Sequence, residues 1–211
     1  MLIKLIIFDL CETLLGRDIE KSRTRNLIKC FNLEQEKEKV SRLVSEVYHI
    51  KKDKTLDEMG FELCERLGIK PTKENLDLVK KIEEDLNSSF YIYDHVEKML
   101  DSLKSQGFKL GFITNMSVFL YEELSEEFPH FFGIFDYKIF SFEVGMIKPD
   151  PRIYKLMLDM AKVSENESLM VGDSETNDFL VPKSLGMNAI LFDGNYENLK
   201  KSFEQFGIYI N

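Results

Sequence analysis

Cysteine is scarce in this chain of 211 residues, where Cys11, Cys30 and Cys64 make an odd set of three. A chain of this length has no need of disulfide staples. A disulfide scaffold is excluded, and a reducing, cytoplasmic setting is expected. Positive charge is also in deficit: 28 Lys and Arg stand against 37 Asp and Glu, for a formal net charge of −9. A protein that grips a phosphate backbone needs a broad basic face, so no nucleic-acid partner is expected. Long apolar runs are missing as well. The opening stretch Met1 to Phe8 is interrupted by Lys4 and followed at once by Asp9 and Glu12. It is too short to cross a bilayer and has no small-residue cleavage site after it. No membrane partner is expected, and the mature chain is expected to begin at or near Met1. Histidine is limited to His49, His95 and His130, which lack metal-ligand spacing and are expected at the surface or its boundary. Internal repeats and low-complexity tracts are absent.

What the chain does have is 44% apolar residues, enough for a sizeable core. Leu2 to Phe8 reads as a strand buried on both faces, as in a parallel sheet. From Arg17 to Ser89 the apolar spacing turns helical in four runs, around Leu27–Phe31, Val40–Val47, Leu56–Leu67 and Leu76–Leu86. Gly68, Pro71 and Thr72 supply a stop and a new start. Strands then follow at Lys109–Ile113, Tyr137–Phe142, Leu169–Val171 and Ala189–Phe192, with helices near Val96–Leu103, Ser117–Glu127, Pro151–Lys162 and Asn177–Leu185. This order predicts an α/β fold, a Rossmann-like open parallel sheet with an all-helical cap inserted after the first strand. The core is expected at 1–16 and 90–211 and the cap at 17–89, with mobile hinges near Gly16 and Ser89.

In open parallel sheets the ligand crevice lies beyond the carboxyl ends of the strands. Those ends carry Asp9-Leu10-Cys11-Glu12-Thr13, Thr114-Asn115, the segment leading to Lys148-Pro149, and Gly172-Asp173-Ser174 with Asn177-Asp178 behind it. Asp9 and Asp173 are hard oxygen ligands suited to Mg²⁺, which a substrate phosphate would complete. Lys148 offers a point charge against an anionic phosphoryl group, and Thr114 with nearby backbone N–H groups can hold its oxygens. A carboxylate so placed can act as nucleophile and form an aspartyl-phosphate. Each residue also has a plainer reading. Asp9 suits a turn cap, Thr114-Asn115 a helix N-cap, Lys148 an exposed loop, and Gly172-Asp173-Ser174 says little without Asp178.

Taken in order and spacing, the four motifs resemble those of the haloacid dehalogenase-like (HAD) hydrolase superfamily. The resemblance implies a helical cap that closes over the site, and a small phosphorylated molecule as substrate. It makes Asp9 the nucleophile and a metal ligand, with Thr114 holding the phosphoryl group, Asn115 beside it toward the substrate, and Lys148 stabilising charge. It makes Asp173 a Mg²⁺ ligand, Asp178 a support for the metal through its outer shell, and the main-chain carbonyl of Cys11 a further ligand.

One position departs from that pattern. Phosphatases of the family carry a second aspartate two residues after the nucleophile, as acid and then base, and here Cys11 stands there. A thiol has a pKa of about 8.5 against about 3.9 for aspartate, so at neutral pH it is a poor substitute. Three readings follow. The first is a slow Mg²⁺-dependent phosphohydrolase in which the aspartyl-phosphate accumulates. The second is a catalytically impaired module that still holds Mg²⁺ and phosphate. The third is a 2-haloacid dehalogenase, whose pattern Tyr154 fits and retained Asp173 does not. Glu12 reads as a turn carboxylate rather than a replacement acid. Cys30 and Cys64 read as small core residues of the cap, and Arg17, Lys21, Arg23 and Arg25 as a solvated helix face, with contact between one of them and an anionic substrate on cap closure as the alternative.

Overall fold

The computed structural model describes residues 2–87 and 89–210; Met1, Ser88 and Asn211, which the expected divisions include, lie outside the described residues. Strand β1 (Leu5–Phe8) is wholly buried. It forms the centre of a five-stranded parallel sheet with β4 (Lys109–Thr114), β5 (Tyr137–Phe140), β6 (Ser168–Gly172) and β7 (Asn188–Leu191), in the order β5-β4-β1-β6-β7. The chain leaves β1 toward β4 and β5, then crosses back to β6 and β7. The switch point is therefore the β1/β6 boundary. Register aligns the strand ends there: Phe8 sits opposite Phe112 of β4 and Val171 of β6, so Asp9, Thr114 and Asp173 emerge at one edge.

Strand side chains alternate between two cores, as a period of two requires. Ile6, Phe8, Leu110, Phe112, Leu169 and Val171 pack with helices α5 (Val96–Ser105), α6 (Val118–Glu127), α7 (Pro129–Gly133) and α11 (Tyr196–Glu204). Leu5, Ile7, Ile113, Ile139 and Met170 face the other way, onto α9 (Pro151–Ala161). Burying each Val, Leu, Ile or Phe stabilises by roughly 1.5–3 kcal/mol. Helical covers on both faces explain why these strands read as continuous apolar runs.

Between β1 and β4 lie a short antiparallel ribbon and four helices. β2 (Leu15–Arg17) pairs with β3 (Phe90–Ile92), placing Gly16 opposite Tyr91. Helices α1 (Arg23–Phe31), α2 (Lys37–Tyr48), α3 (Leu56–Leu67) and α4 (Lys73–Asn87) leave from one side of that ribbon and return to the other. They share a separate apolar cluster that includes Leu27, Val40, Val47, Met59, Leu63 and Ile82. Thr55 and Glu58 form a capping box at the start of α3, and Gly68 ends it at φ 76°, a backbone state that costs glycine nothing. Phe119 of α6 packs against this bundle cluster, which seats the bundle over the carboxyl edge of the sheet.

Four expectations change. The third strand stops at Phe140, because the Ser141 hydroxyl bonds Met116 N at 3.1 Å and Met116 O at 3.2 Å and turns the chain into α8 (Ser141–Val144). The helix expected at Asn177–Leu185 is instead a wider π-type turn over Glu175–Leu180 followed by α10 (Val181–Ser184). Cys64 is buried in the bundle, but Cys30 is exposed, since α1 turns Leu27 inward and Cys30 away. Arg23 is no part of a solvated face: it is 5% exposed and forks onto Glu83 of α4, with its guanidinium 4.3 Å from the Tyr48 ring centroid. Among the described residues no helix is long and apolar enough to cross a membrane.

Candidate active site

Asp9 is the first residue past β1, and its N–H bonds Val171 O at 2.9 Å, which ties it to the strand that delivers Asp173. The next turn is tightly wound. The N–H groups of Thr13, Leu14 and Leu15 all reach Leu10 O, and that of Glu12 reaches Leu15 O at 2.7 Å, so none of them claims the Cys11 carbonyl. Glu12 takes φ 62° to make the turn, and its carboxylate accepts from Arg17 Nε at 2.6 Å. That pairing keeps Glu12 as a turn carboxylate bound to β2.

Lys148 sits at the middle of the site. Its ammonium donates to Asp9 Oδ1 at 2.7 Å and to Asp178 Oδ1 at 2.6 Å, with its side chain 2% exposed. Burial alone would lower its pKa, but the two carboxylates outweigh that and raise it, so the charge is permanent. The backbone of Lys148 is clamped by Asn115, whose Oδ1 accepts from Lys148 N at 2.8 Å while its Nδ2 donates to Lys148 O at 2.9 Å. Two hydrogen bonds from the Asn115 side chain thus fix the Lys148 backbone. Thr114, at the end of β4, is 1% exposed, and its hydroxyl oxygen has no hydrogen-bond partner among the described residues. A buried hydroxyl without a partner is costly unless something absent from the protein completes it.

Asp178 is fully buried on the π-type turn. Its Oδ2 accepts from Ser174 N at 3.1 Å while Oδ1 takes Lys148. Gly172 makes that approach possible, for a Cβ there would fall 2.4 Å from Asp178 Oδ2. Tyr154 of α9 is buried and donates to Asn177 O, bracing the same turn from behind. Asp173 stands exposed at the mouth, with the Thr13 hydroxyl 3.5 Å from its Oδ1.

Asp9, Asp173 and Asp178 each bring a carboxylate oxygen within 4.8 Å of the others. Set against one ammonium, they leave the cluster short of positive charge. Burial pushes the Asp9 carboxyl up to about 7, with Lys148 opposing and Asp178 and Asp173 adding to the rise. Asp173, although exposed at the mouth, is raised too, by partial desolvation of its carboxyl in the cleft and then by Asp178. An oxygen donor set with surplus negative charge fits a hard divalent cation such as Mg²⁺. The Cys11 thiol fares differently: burial and then the Asp9 charge push it up to about 12, so it carries its proton throughout the neutral range.

Sequence reasoning overlooked the wall facing Cys11. A cavity of about 250 Å³ opens there, bounded by Cys11 and Asn115 on one side and by Ser22, Arg23, Thr24 and His49 on the other. The signal in the sequence was the basic stretch at the cap entrance, two of whose members, Arg17 and Arg23, line the cavity.

Comparison with known proteins places this arrangement in a family. The family model described as haloacid dehalogenase-like hydrolase matches residues 6–192. The chain is 34% identical over 146 residues to bifunctional epoxide hydrolase 2 of Sus scrofa, across 65% of this chain and 23% of that protein. It is 32% identical over 120 residues to a glyceraldehyde 3-phosphate phosphatase of Pyrococcus furiosus, across 54% of this chain and 47% of that protein. The matches thus span under half the length of these relatives. A HAD family enzyme of Bacteroides thetaiotaomicron, solved with magnesium and inorganic phosphate, superposes with a TM-score of 0.70 at 22% identity, covering 93% of this chain and 98% of the other. A HAD-like hydrolase structure from Porphyromonas gingivalis gives 0.72 at 20% identity over 97% and 98% of the two chains. These structural likenesses establish the fold.

Proposed function

The chain belongs to the haloacid dehalogenase-like hydrolases, and from that premise we propose that it is a Mg²⁺-dependent phosphohydrolase acting on a small phosphorylated metabolite. The observation that carries this reading is the buried Lys148 ammonium bridging Asp9 and Asp178 beside the unpartnered Thr114 hydroxyl. Such a cluster suits a phosphoryl group, with Lys148 and the Thr114 hydroxyl available to its oxygens. Relatives that are glyceraldehyde 3-phosphate phosphatases support a phosphomonoester substrate. Free cysteines and a net charge of −9 suit a cytoplasmic metabolite enzyme without nucleic-acid or membrane partners. The core would comprise 1–16 and 90–211 and the cap 17–89, hinged at the β2–β3 ribbon.

Asp9, Asp173 and the Cys11 carbonyl would hold Mg²⁺, with Asp178 supporting from behind. The ion would neutralise phosphoryl oxygens and relieve the surplus charge on the carboxylates. Thr114 would donate its hydroxyl to one phosphoryl oxygen while Lys148 offsets the charge of another. The Asp9 carboxylate would attack phosphorus, forming an acyl-phosphate bond as the bond to the ester oxygen breaks. The departing alkoxide then needs a proton, and the water that later frees Asp9 needs a base. A thiol held at about 12 serves poorly in both roles. Esters with acidic leaving groups would depart unaided, and the aspartyl-phosphate would outlast them.

A panel of phosphorylated metabolites and 2-haloacids, with and without Mg²⁺, tests this reading. Phosphate release that requires Mg²⁺, with 2-chloropropionate inert, is the expected result. Halide release without Mg²⁺ would overturn it. Tyr154 already donates to Asn177 O and Asp173 stands in the carboxylate cluster, which disfavours dehalogenation.

A further inference from the structure

Glu12 holds a backbone state that its side chain makes unfavourable. Its φ of 62° is left-handed, a region in which a Cβ crowds the following carbonyl oxygen. Asn32 and Lys162 share that state, but they cap the ends of α1 and α9, where a left-handed residue commonly stops a helix. Glu12 follows no helix. It stands between Cys11, whose carbonyl would be a metal ligand, and Thr13, whose hydroxyl meets Asp173 at 3.5 Å.

Two contacts hold Glu12 there. Its N–H donates to Leu15 O at 2.7 Å, and its carboxylate accepts from Arg17 Nε at 2.6 Å. Cys11 and Glu12 share a trans peptide unit, in which the carbonyl and the N–H point in opposite directions. Fixing the Glu12 N–H on Leu15 O therefore aims the Cys11 carbonyl away from the turn. Arg17 is a firm anchor for the other contact, since its backbone pairs with Phe90 in the β2–β3 ribbon. The ion pair has little structural weight of its own: its side chains are 27% and 33% exposed, and partly solvated pairs contribute little to stability. Strain kept without a clear gain in stability points to a functional constraint.

We propose that the Glu12–Arg17 pair is a strap that holds the Cys11 carbonyl in the orientation of a Mg²⁺ ligand, both side chains acting as positioning residues and neither touching the ion; this rests on the phosphohydrolase reading. The sign of the Arg17 effect is its signature. Electrostatics alone makes the two side chains opposites, because a nearby carboxylate favours a bound cation and a nearby guanidinium opposes it. A strap makes them alike, because releasing either end frees the same peptide.

Mg²⁺ titrations of the substrate-free protein, read as the rise in melting temperature, test this in wild type, Glu12→Gln, Arg17→Met and Arg17→Lys. Asp173→Asn identifies the part of the rise that belongs to the site. Glu12→Gln and Arg17→Met should each weaken Mg²⁺ binding about tenfold, as loss of groups that orient metal ligands does, while Arg17→Lys, which keeps the pair, should stay close to wild type. Metal-free melting temperatures should move by no more than about 4 °C, which separates a loss of ligand orientation from a loss of fold. Arg17→Gln serves in place of Arg17→Met if the latter does not fold. Mg²⁺ binding by the Arg17 variant that equals or exceeds wild type would overturn the strap alone, since wild type would still bind the ion. If wild type shows no rise that Asp173→Asn abolishes, the Mg²⁺-dependent phosphohydrolase reading falls and takes the strap with it.

Discussion

Replacing Cys11 with aspartate is expected to raise turnover of p-nitrophenyl phosphate by about 10²- to 10⁴-fold, the usual contribution of a positioned acid/base. The thiol at this position is pushed up to about 12 by burial and by the Asp9 charge. It therefore holds its proton when water must be activated. A carboxylate in its place would feel the same burial and the same Asp9, but Arg17 and Lys148 both favour a charged form there. The gain should fall chiefly on release of phosphate from Asp9, because p-nitrophenolate leaves without help. Steady-state turnover with Mg²⁺ for wild type and Cys11→Asp is the measurement. A folded variant with no gain would favour a module that binds Mg²⁺ and phosphate without hydrolysing its ligand.

Lys148→Met is expected to cost both activity and stability. Losing one buried group aimed at developing charge costs about 10²- to 10³-fold in kcat. The structural cost follows from the same contacts. With the ammonium gone, Asp9 and Asp178 face each other in a buried site without their shared counter-ion. Removing one partner of a buried ion pair costs about 3–5 kcal/mol, and at about 2–4 °C per kcal/mol the melting temperature should fall by roughly 6–20 °C. Mg²⁺ should restore more stability to the variant than to wild type, since a cation bound to Asp9 and Asp173 relieves charge that Lys148 no longer offsets. Melting curves of both proteins with and without Mg²⁺ check this. A variant that melts with wild type in the absence of metal would show that the bridge has no structural weight.

Sequence pattern revealed the frame because its signals are local. β1 is apolar at every position since both faces are covered, and α1 to α4 show helical spacing since each turns one stripe toward a shared cluster. The strand-end residues were legible for the same reason: a polar group after a buried apolar run stands out. Features set by long-range contact were not. The β2–β3 ribbon consists of three-residue strands that exist only by pairing Leu15–Arg17 with Phe90–Ile92 across the whole bundle. Arg23 resembled its solvated neighbours because Glu83 lies 60 positions away. The Asn115 clamp on Lys148 joins loops 33 residues apart, and nothing in Thr114-Asn115 alone distinguishes a substrate-binding amide from one that holds a lysine in place. The orphaned Thr114 hydroxyl is likewise a fact of packing rather than of pattern.

The central claim is that Asp9 accepts a phosphoryl group and, with Cys11 beside it, gives that group up slowly. Intact mass of the protein, taken shortly after mixing with acetyl phosphate and Mg²⁺, tests this most directly. The account predicts a species heavier by one phosphoryl group, absent from Asp9→Asn, persisting in wild type and short-lived in Cys11→Asp. Unmodified wild-type protein that nonetheless shows ordinary multiple turnover would contradict it.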